Sequence, residues 1–90
     1  MLSFLPKTPQ EILIETSTKF RKKRKALGYT QLELSSRSGV SLGSLKRFEQ
    51  SGQINFESLL KLALVLECLD SFASLCEEKE EMPKSIEELL

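Results

Sequence analysis

Residues 30–50 read Thr-Gln-Leu-Glu-Leu-Ser-Ser-Arg-Ser-Gly-Val-Ser-Leu-Gly-Ser-Leu-Lys-Arg-Phe-Glu-Gln, and this stretch decides the fold. Thr30 followed three residues later by Glu33 is a capping box, so a helix is expected from Gln31 to about Ser38. Gly39 ends it, because glycine adopts the left-handed conformation that closes a helix without a steric cost. Val40 is an apolar turn residue, Ser41 is a second cap, and another helix runs from Leu42 to about Gln50. Two helices joined by a short glycine-containing turn form a helix-turn-helix. The residue at their crossing must be small, and Ser35 is; Val40 fills the wedge, while Leu34, Leu45 and Phe48 hold both helices on a core. The outer face of the second helix then carries Leu42, Gly43, Ser44, Lys46, Arg47 and Gln50, with Glu49 turned inward.

Working outward, every neighbouring segment is helical too. Thr8-Pro9-Gln10-Glu11 combines a cap, a proline at the first helical position and a capping box. Leu13, Thr16, Phe20, Arg24 and Leu27 follow at spacings of three or four and define the inward face, and Gly28 stops the helix. On the C-terminal side, Asn55 caps a helix from Phe56 to about Glu67, whose inward face is expected to be Phe56, Leu59, Leu60, Ala63 and Leu66. A shorter helix follows Asp70 and uses Phe72 and Leu75. Residues 77–84 read as an exposed tail, with a weak further cap at Ser85. No alternating β-branched run is present, so the expected fold is all-α with five short helices.

Composition removes most other classes of protein. The chain has 90 residues, room for one small domain, and its 40% hydrophobic and 29% charged content is that of a globular chain. Tryptophan is absent and aromatics are 7%, so the core must be aliphatic in the main. With no histidine and two cysteines, a zinc site or a histidine-based triad has no residues to stand on, and no enzymatic activity, metal or cofactor is expected. The longest apolar run, Leu62–Leu66, is five residues, far short of the ~18 of a membrane span. No secretory leader is expected at the N-terminus. Cys68 and Cys76 are not a disulfide framework and read as reduced thiols of a cytoplasmic protein.

The formal net charge of zero hides an asymmetry. Residues 1–50 hold 10 Lys and Arg against 4 Asp and Glu, a net +6; residues 51–90 hold 3 against 9, a net −6. Such a dipole suits a protein with one side facing a polyanion. The run Lys19–Lys25 reads as a solvated helix face that adds long-range attraction rather than direct contacts.

The stretch Arg21–Leu66 resembles the Cro/CI-type, or xenobiotic-response-element, helix-turn-helix repressors. The matching segments are Arg24–Leu34, Ser38-Gly39-Val40-Ser41, Leu45–Glu49 and Asn55–Ala63. The resemblance implies a lambda-repressor-like DNA-binding domain over residues 1–76, followed by an acidic tail over 77–90. It implies that Arg24 pairs, buried, with Glu49. It further implies that the start of the second helix, Thr30 and Gln31, lies on DNA with Gln31 touching a phosphate, and that Leu42, Gly43 and Arg47 approach base edges. One feature departs from the family pattern: Leu42 and Gly43 stand where many members carry hydrogen-bonding side chains. Direct readout then rests on Ser44, Lys46 and Arg47, with Gln50 on the same face and Ser41 near phosphate.

The leucines of the fourth helix go nearly all round it, more than so small an interior can cover. A twofold-related copy is the usual answer, and Leu62, Val65, Leu69 and Phe72 are the expected dimer interface. The functional expectation is a sequence-specific DNA-binding repressor or autoregulator, acting as a homodimer on a double-stranded operator, with no membrane association. The alternative is an antitoxin or adaptor. Ser41–Gln50 followed by Leu69-Asp70-Ser71-Phe72 is similar to the small HipB-like antitoxins that bind both operator DNA and a HipA-type kinase toxin.

Overall fold

A computed structural model describes residues 7–78, which form α1 (Pro9–Ala26), α2 (Gln31–Ser38), α3 (Leu42–Ser51), α4 (Phe56–Val65) and α5 (Asp70–Ala73). The expected caps form. The Thr8 hydroxyl accepts from Glu11 N–H at 3.1 Å and the Glu11 carboxylate accepts from Thr8 N–H at 2.9 Å. Thr30 and Glu33 repeat the exchange at 3.0 and 2.8 Å. Ser41 and Asn55 cap α3 and α4 through the amide nitrogens of Ser44 and Ser58. Each bond satisfies a donor that the first helical turn otherwise leaves without a partner.

The turn between α2 and α3 is closed by its own serines. Gly39 is left-handed at φ 80° and its N–H donates to the Ser35 carbonyl. Ser38 Oγ accepts from Val40 N–H at 3.1 Å, and Ser35 Oγ donates to the Val40 carbonyl at 2.6 Å. Ser35 therefore ties α2 to the turn that leads into α3.

The core is Phe20, Leu34, Val40, Leu45, Phe48, Leu62, Ala63 and Leu66, with α1 packed on α3 and α2 packed on both α3 and α4. The ring of Phe20 meets Phe48 edge-to-face at 5.5 Å and Phe72 at 6.2 Å, and Phe72 meets Phe56 at 6.1 Å. Edge-to-face pairs of this kind add to the burial of the rings themselves.

Three expectations need correction. On α1, Leu13 is 38% exposed and Ser17 is buried in its place, with its hydroxyl turned back onto the Ile14 carbonyl. Gly52 is the neighbour of Leu13: a Cβ there would lie 2.7 Å from the Leu13 carbonyl oxygen and 3.0 Å from the Leu13 Cβ, so the α3–α4 turn closes on α1 at Leu13 with a residue that has no side chain to cover it. On α4, the buried stripe is Leu62, Ala63 and Leu66 with Leu59 half-buried, whereas Phe56 is 57% exposed. The stripe is rotated toward Leu62, which is 0% exposed where α2 packs on α4; Leu62 belongs to the core and not to a surface for a second copy. Finally, α4 stops at Val65, with Glu67 in the left-handed region at φ 64°, and α5 is a single turn that leaves Leu75 exposed. The part of the expected tail from residue 79 onward lies outside the described residues.

Candidate nucleic-acid interface

Helix α3 is held from behind by a buried polar network. Arg24 Nε donates to Glu49 Oε2 at 2.8 Å and Arg24 Nη2 to Glu49 Oε1 at 3.1 Å, a side-on pair whose side chains are 9% and 5% exposed. Arg24 Nη1 donates to the Tyr29 carbonyl at 2.8 Å, and Gln31 Nε2 donates to Glu49 Oε1 at 2.9 Å. Among the described residues no buried side-chain polar atom lacks a partner. Removing two charges from water is costly, and it is tolerated here because both are bonded at several points. The network ties the end of α1, the start of α2 and the end of α3 to one another.

Gln31, expected at a phosphate, has its amide nitrogen fixed by Glu49, which leaves that group's second N–H for another acceptor. Its neighbour Thr30 is exposed and occupied by its capping box. That box holds the Glu33 carboxyl below its ordinary range, first through the Thr30 backbone N–H and then through the hydroxyl. Arg37 lies with its guanidinium carbon 4.9 Å from the centre of the Tyr29 ring. This cation–π contact was not legible from spacing, since Tyr29 is in the α1–α2 turn and Arg37 is on α2.

The outer face of α3 is open. Gly43, Ser44, Lys46, Arg47 and Gln50 are exposed, while Leu42 is half-buried. Gly43, Lys46, Arg47 and Gln50 stand at i, i+3, i+4 and i+7, which places them on one side of the helix. A Cβ at Gly43 would meet nothing within 4 Å, so glycine is not required there by packing or by φ. Ser41 is used as the cap, accepting from Ser44 N–H at 3.1 Å and donating to Ser44 Oγ at 2.9 Å. Arg47 Nη2 donates to Gln53 Oε1 at 2.6 Å. Between them and the start of α4 lies an open cleft of about 300 Å³ lined by Ser44, Arg47, Gln53, Ile54, Asn55 and Ser58. Sequence reasoning did not single out Gln53, which is in the loop after α3.

The residues expected at a dimer interface separate into two groups. Leu62 is interior, whereas Val65, Leu69 and Phe72 are half-buried and lean on the core. The exposed apolar side chains near them are Phe56, at the start of α4, and Leu64, which is 64% exposed. Leu60, Leu69, Phe72 and Ala73 join Phe56 around a shallow groove of about 210 Å³.

A short glycine-containing turn, an exposed basic face on the second helix and a buried arginine–glutamate tie are the features of a helix-turn-helix DNA-binding domain. The family model described as Helix-turn-helix matches residues 20–69, more than half of the chain. The protein belongs to this family of Cro/CI-type DNA-binding transcriptional regulators, whose domain is non-enzymatic. No curated protein and no solved structure matches the chain. Among the described residues no helix is long and apolar enough to cross a membrane.

Proposed function

We propose that the protein is a repressor or autoregulator that binds a palindromic operator as a homodimer, with α3 in the major groove. The observation that carries this reading is the contrast across α3: Leu45, Phe48 and Glu49 are fixed from behind, and the opposite side offers Lys46, Arg47 and Gln50. Rigid mounting matters because base recognition depends on donor positions, while phosphate contacts only set register. Gln31 suits a register contact, since its remaining N–H extends from a residue anchored to Glu49.

Dimerisation would use the end of the molecule formed by α4 and α5, through Phe56, Leu60, Leu64, Leu69 and Phe72. Two copies would read half-sites about one DNA turn, ~34–36 Å, apart. This compensates for a single head that leads with Leu42 and Gly43. Sedimentation equilibrium at micromolar concentration tests it: wild type is expected near twice 10.2 kDa, and Phe56→Glu combined with Leu64→Glu near 10.2 kDa with its helicity kept. A monomeric wild type, with or without DNA, would sink the dimer. It would favour the second reading, an antitoxin-like protein in the cytoplasm whose apolar face takes a different partner, such as a kinase toxin.

Binding itself is tested by selecting sites from a random DNA pool and titrating them at several salt concentrations. A steep fall of log affinity with log salt is expected from phosphate neutralisation. Arg47→Ala should cost about 1–3 kcal/mol on the selected site. Affinity indifferent to salt would remove the DNA reading.

A further inference from the structure

The loop after α3 is folded back onto one residue of the reading face. Ser51 Oγ donates to the Arg47 carbonyl at 2.7 Å and accepts from Gln53 N–H at 3.2 Å, while Gln53 Oε1 accepts from Arg47 Nη2 at 2.6 Å. Arg47 is thus bonded to the loop at its backbone and at its guanidinium, within one closed circuit. The place of Gln53 in that circuit is itself fixed. Gly52, the residue before it, is left-handed at φ 82° and buried, with the Leu13 backbone where its Cβ would be. The α3–α4 turn is therefore clamped on α1, and Gln53 leaves it from a fixed point.

We infer that Gln53 is a positioning residue for DNA recognition: it holds the Arg47 guanidinium in the orientation that reads a guanine. The inference rests on the DNA-binding proposal above and deepens it by naming the base and the residue that aims the reader. An exposed arginine has many rotamers, and each must be abandoned when it binds. One bond to Gln53 removes much of that freedom in advance. It uses only one of the five guanidinium N–H groups. Enough donors remain for the paired acceptors O6 and N7 that only guanine presents on one edge in the major groove. Lys46, by contrast, is an ammonium on a flexible stem, suited to phosphate as a point charge.

The test compares four proteins on DNA selected by the wild type: wild type, Gln53→Ala, Gln53→Glu and Arg47→Ala. Gln53→Ala should lose about three- to tenfold in its preference for guanine at the base that Arg47→Ala also releases, part of the discrimination that a bidentate pair supplies. Preference at the other positions should stay. Gln53→Glu keeps an acceptor for Arg47, so it should keep the guanine preference while its added charge lowers affinity for every sequence alike. In an Arg47→Ala background, Gln53→Ala should have no further effect. A guanine preference unchanged in Gln53→Ala would overturn the positioning role while leaving DNA binding intact. So would a loss that persists without Arg47, since Gln53 would then be touching DNA for itself. A wild type that enriches no site would overturn the DNA reading and this inference with it.

Discussion

The two ends of this small domain are built by different means. At the end made of α2, α3 and the last turn of α1, each helix start has a side-chain cap and the helices are tied by Arg24, Glu49, Gln31 and Ser35. At the end made of α4 and α5, the second helix has four residues and no side-chain cap. It follows a glutamate in the left-handed region and leans on apolar side chains that are only half-buried. Polar ties fix angles, because hydrogen bonds are directional; apolar contact fixes proximity and tolerates sliding. An end that presents donors to bases needs fixed angles, whereas an end that meets a partner through apolar contact does not. The difference suits the division of labour proposed above, with α3 on DNA and the α4–α5 end on a second copy.

The largest effect expected is at the tie itself. Glu49→Ala leaves the Arg24 guanidinium buried with the Tyr29 carbonyl as its remaining partner, a loss of about 3–5 kcal/mol. Total stability in a domain of this size is on the order of 5 kcal/mol or somewhat more, so much of the population should unfold in mild denaturant. Replacing Arg24 and Glu49 together by apolar residues of similar size should cost less, because no charge is then stranded. Denaturant melts of the three proteins separate the cases, and a Glu49→Ala protein as stable as wild type would show that the two ends are not held differently after all.

Next in size is Gly52→Ala. The added methyl must occupy the space of the Leu13 carbonyl, 2.7 Å away, and the backbone must hold an L-residue at φ 82°. The left-handed conformation alone costs roughly 1–2 kcal/mol. The collision adds to this, since backbone cannot turn aside as a side chain can. Gly39→Ala is the control. It shares the conformation, at φ 80°, but has nothing within 4 Å, so it should lose only the conformational part. Equal melting temperatures for the two variants would show that α1 is not clamped by this turn.

That clamp marks where the sequence was legible and where it was not. The turn, the caps and the Arg24–Glu49 pair could be read because each depends on particular residue types at fixed offsets, or on a family pattern that carries them. The burial register of α4 could not. A helix bearing leucine at positions 59, 60, 62, 64 and 66 has several plausible inward faces, and only tertiary packing, in which α2 lies on α4, selects the one through Leu62. Leu13 was misplaced for a similar reason: its spacing is right, but the neighbour at its turn is a glycine that presents backbone. Gln53 and the Arg37–Tyr29 contact join a loop residue to a helix, and helical periodicity does not reach into loops.

A smaller effect of opposite sign is expected at the other end. Glu67 is exposed at φ 64° and closes α4, with Cys68 N–H donating to the Ala63 carbonyl at 2.9 Å. Glycine adopts this conformation without strain, offset in part by its greater freedom in the unfolded chain. Glu67→Gly should therefore stabilise the protein by about 0.5–1 kcal/mol, read as a rise in melting temperature. The same substitution at Glu33, inside a capping box, should lower it. If both lower it, the left-handed residue is not a weak point of the α4–α5 end.

The smallest effect concerns acid, and it distinguishes the helix starts by the chemistry of their caps. Glu11 and Glu33 are held below their ordinary carboxyl range, first by the backbone N–H of Thr8 or Thr30 and then by the hydroxyl of the same residue. A carboxyl whose pKa is depressed on folding stabilises the fold above its unfolded value, and that contribution disappears as pH falls through the folded value. The starts of α1 and α2 should therefore loosen as pH drops from about 6 to 3, a window around the ordinary carboxyl pKa of about 4.3. Asn55, which caps α4 with an uncharged amide, has nothing to titrate. Both carboxyls are exposed, so the change is small and is best seen as a difference between proteins. Glu33→Gln keeps an acceptor for Thr30 N–H but cannot ionise. Wild type should melt slightly above Glu33→Gln at pH 6, with the gap closing by pH 3, while the same comparison for Asn55→Asp should show a gap that opens with rising pH. A Glu33→Gln gap that stays constant across the range would mean that the box acts through its geometry alone.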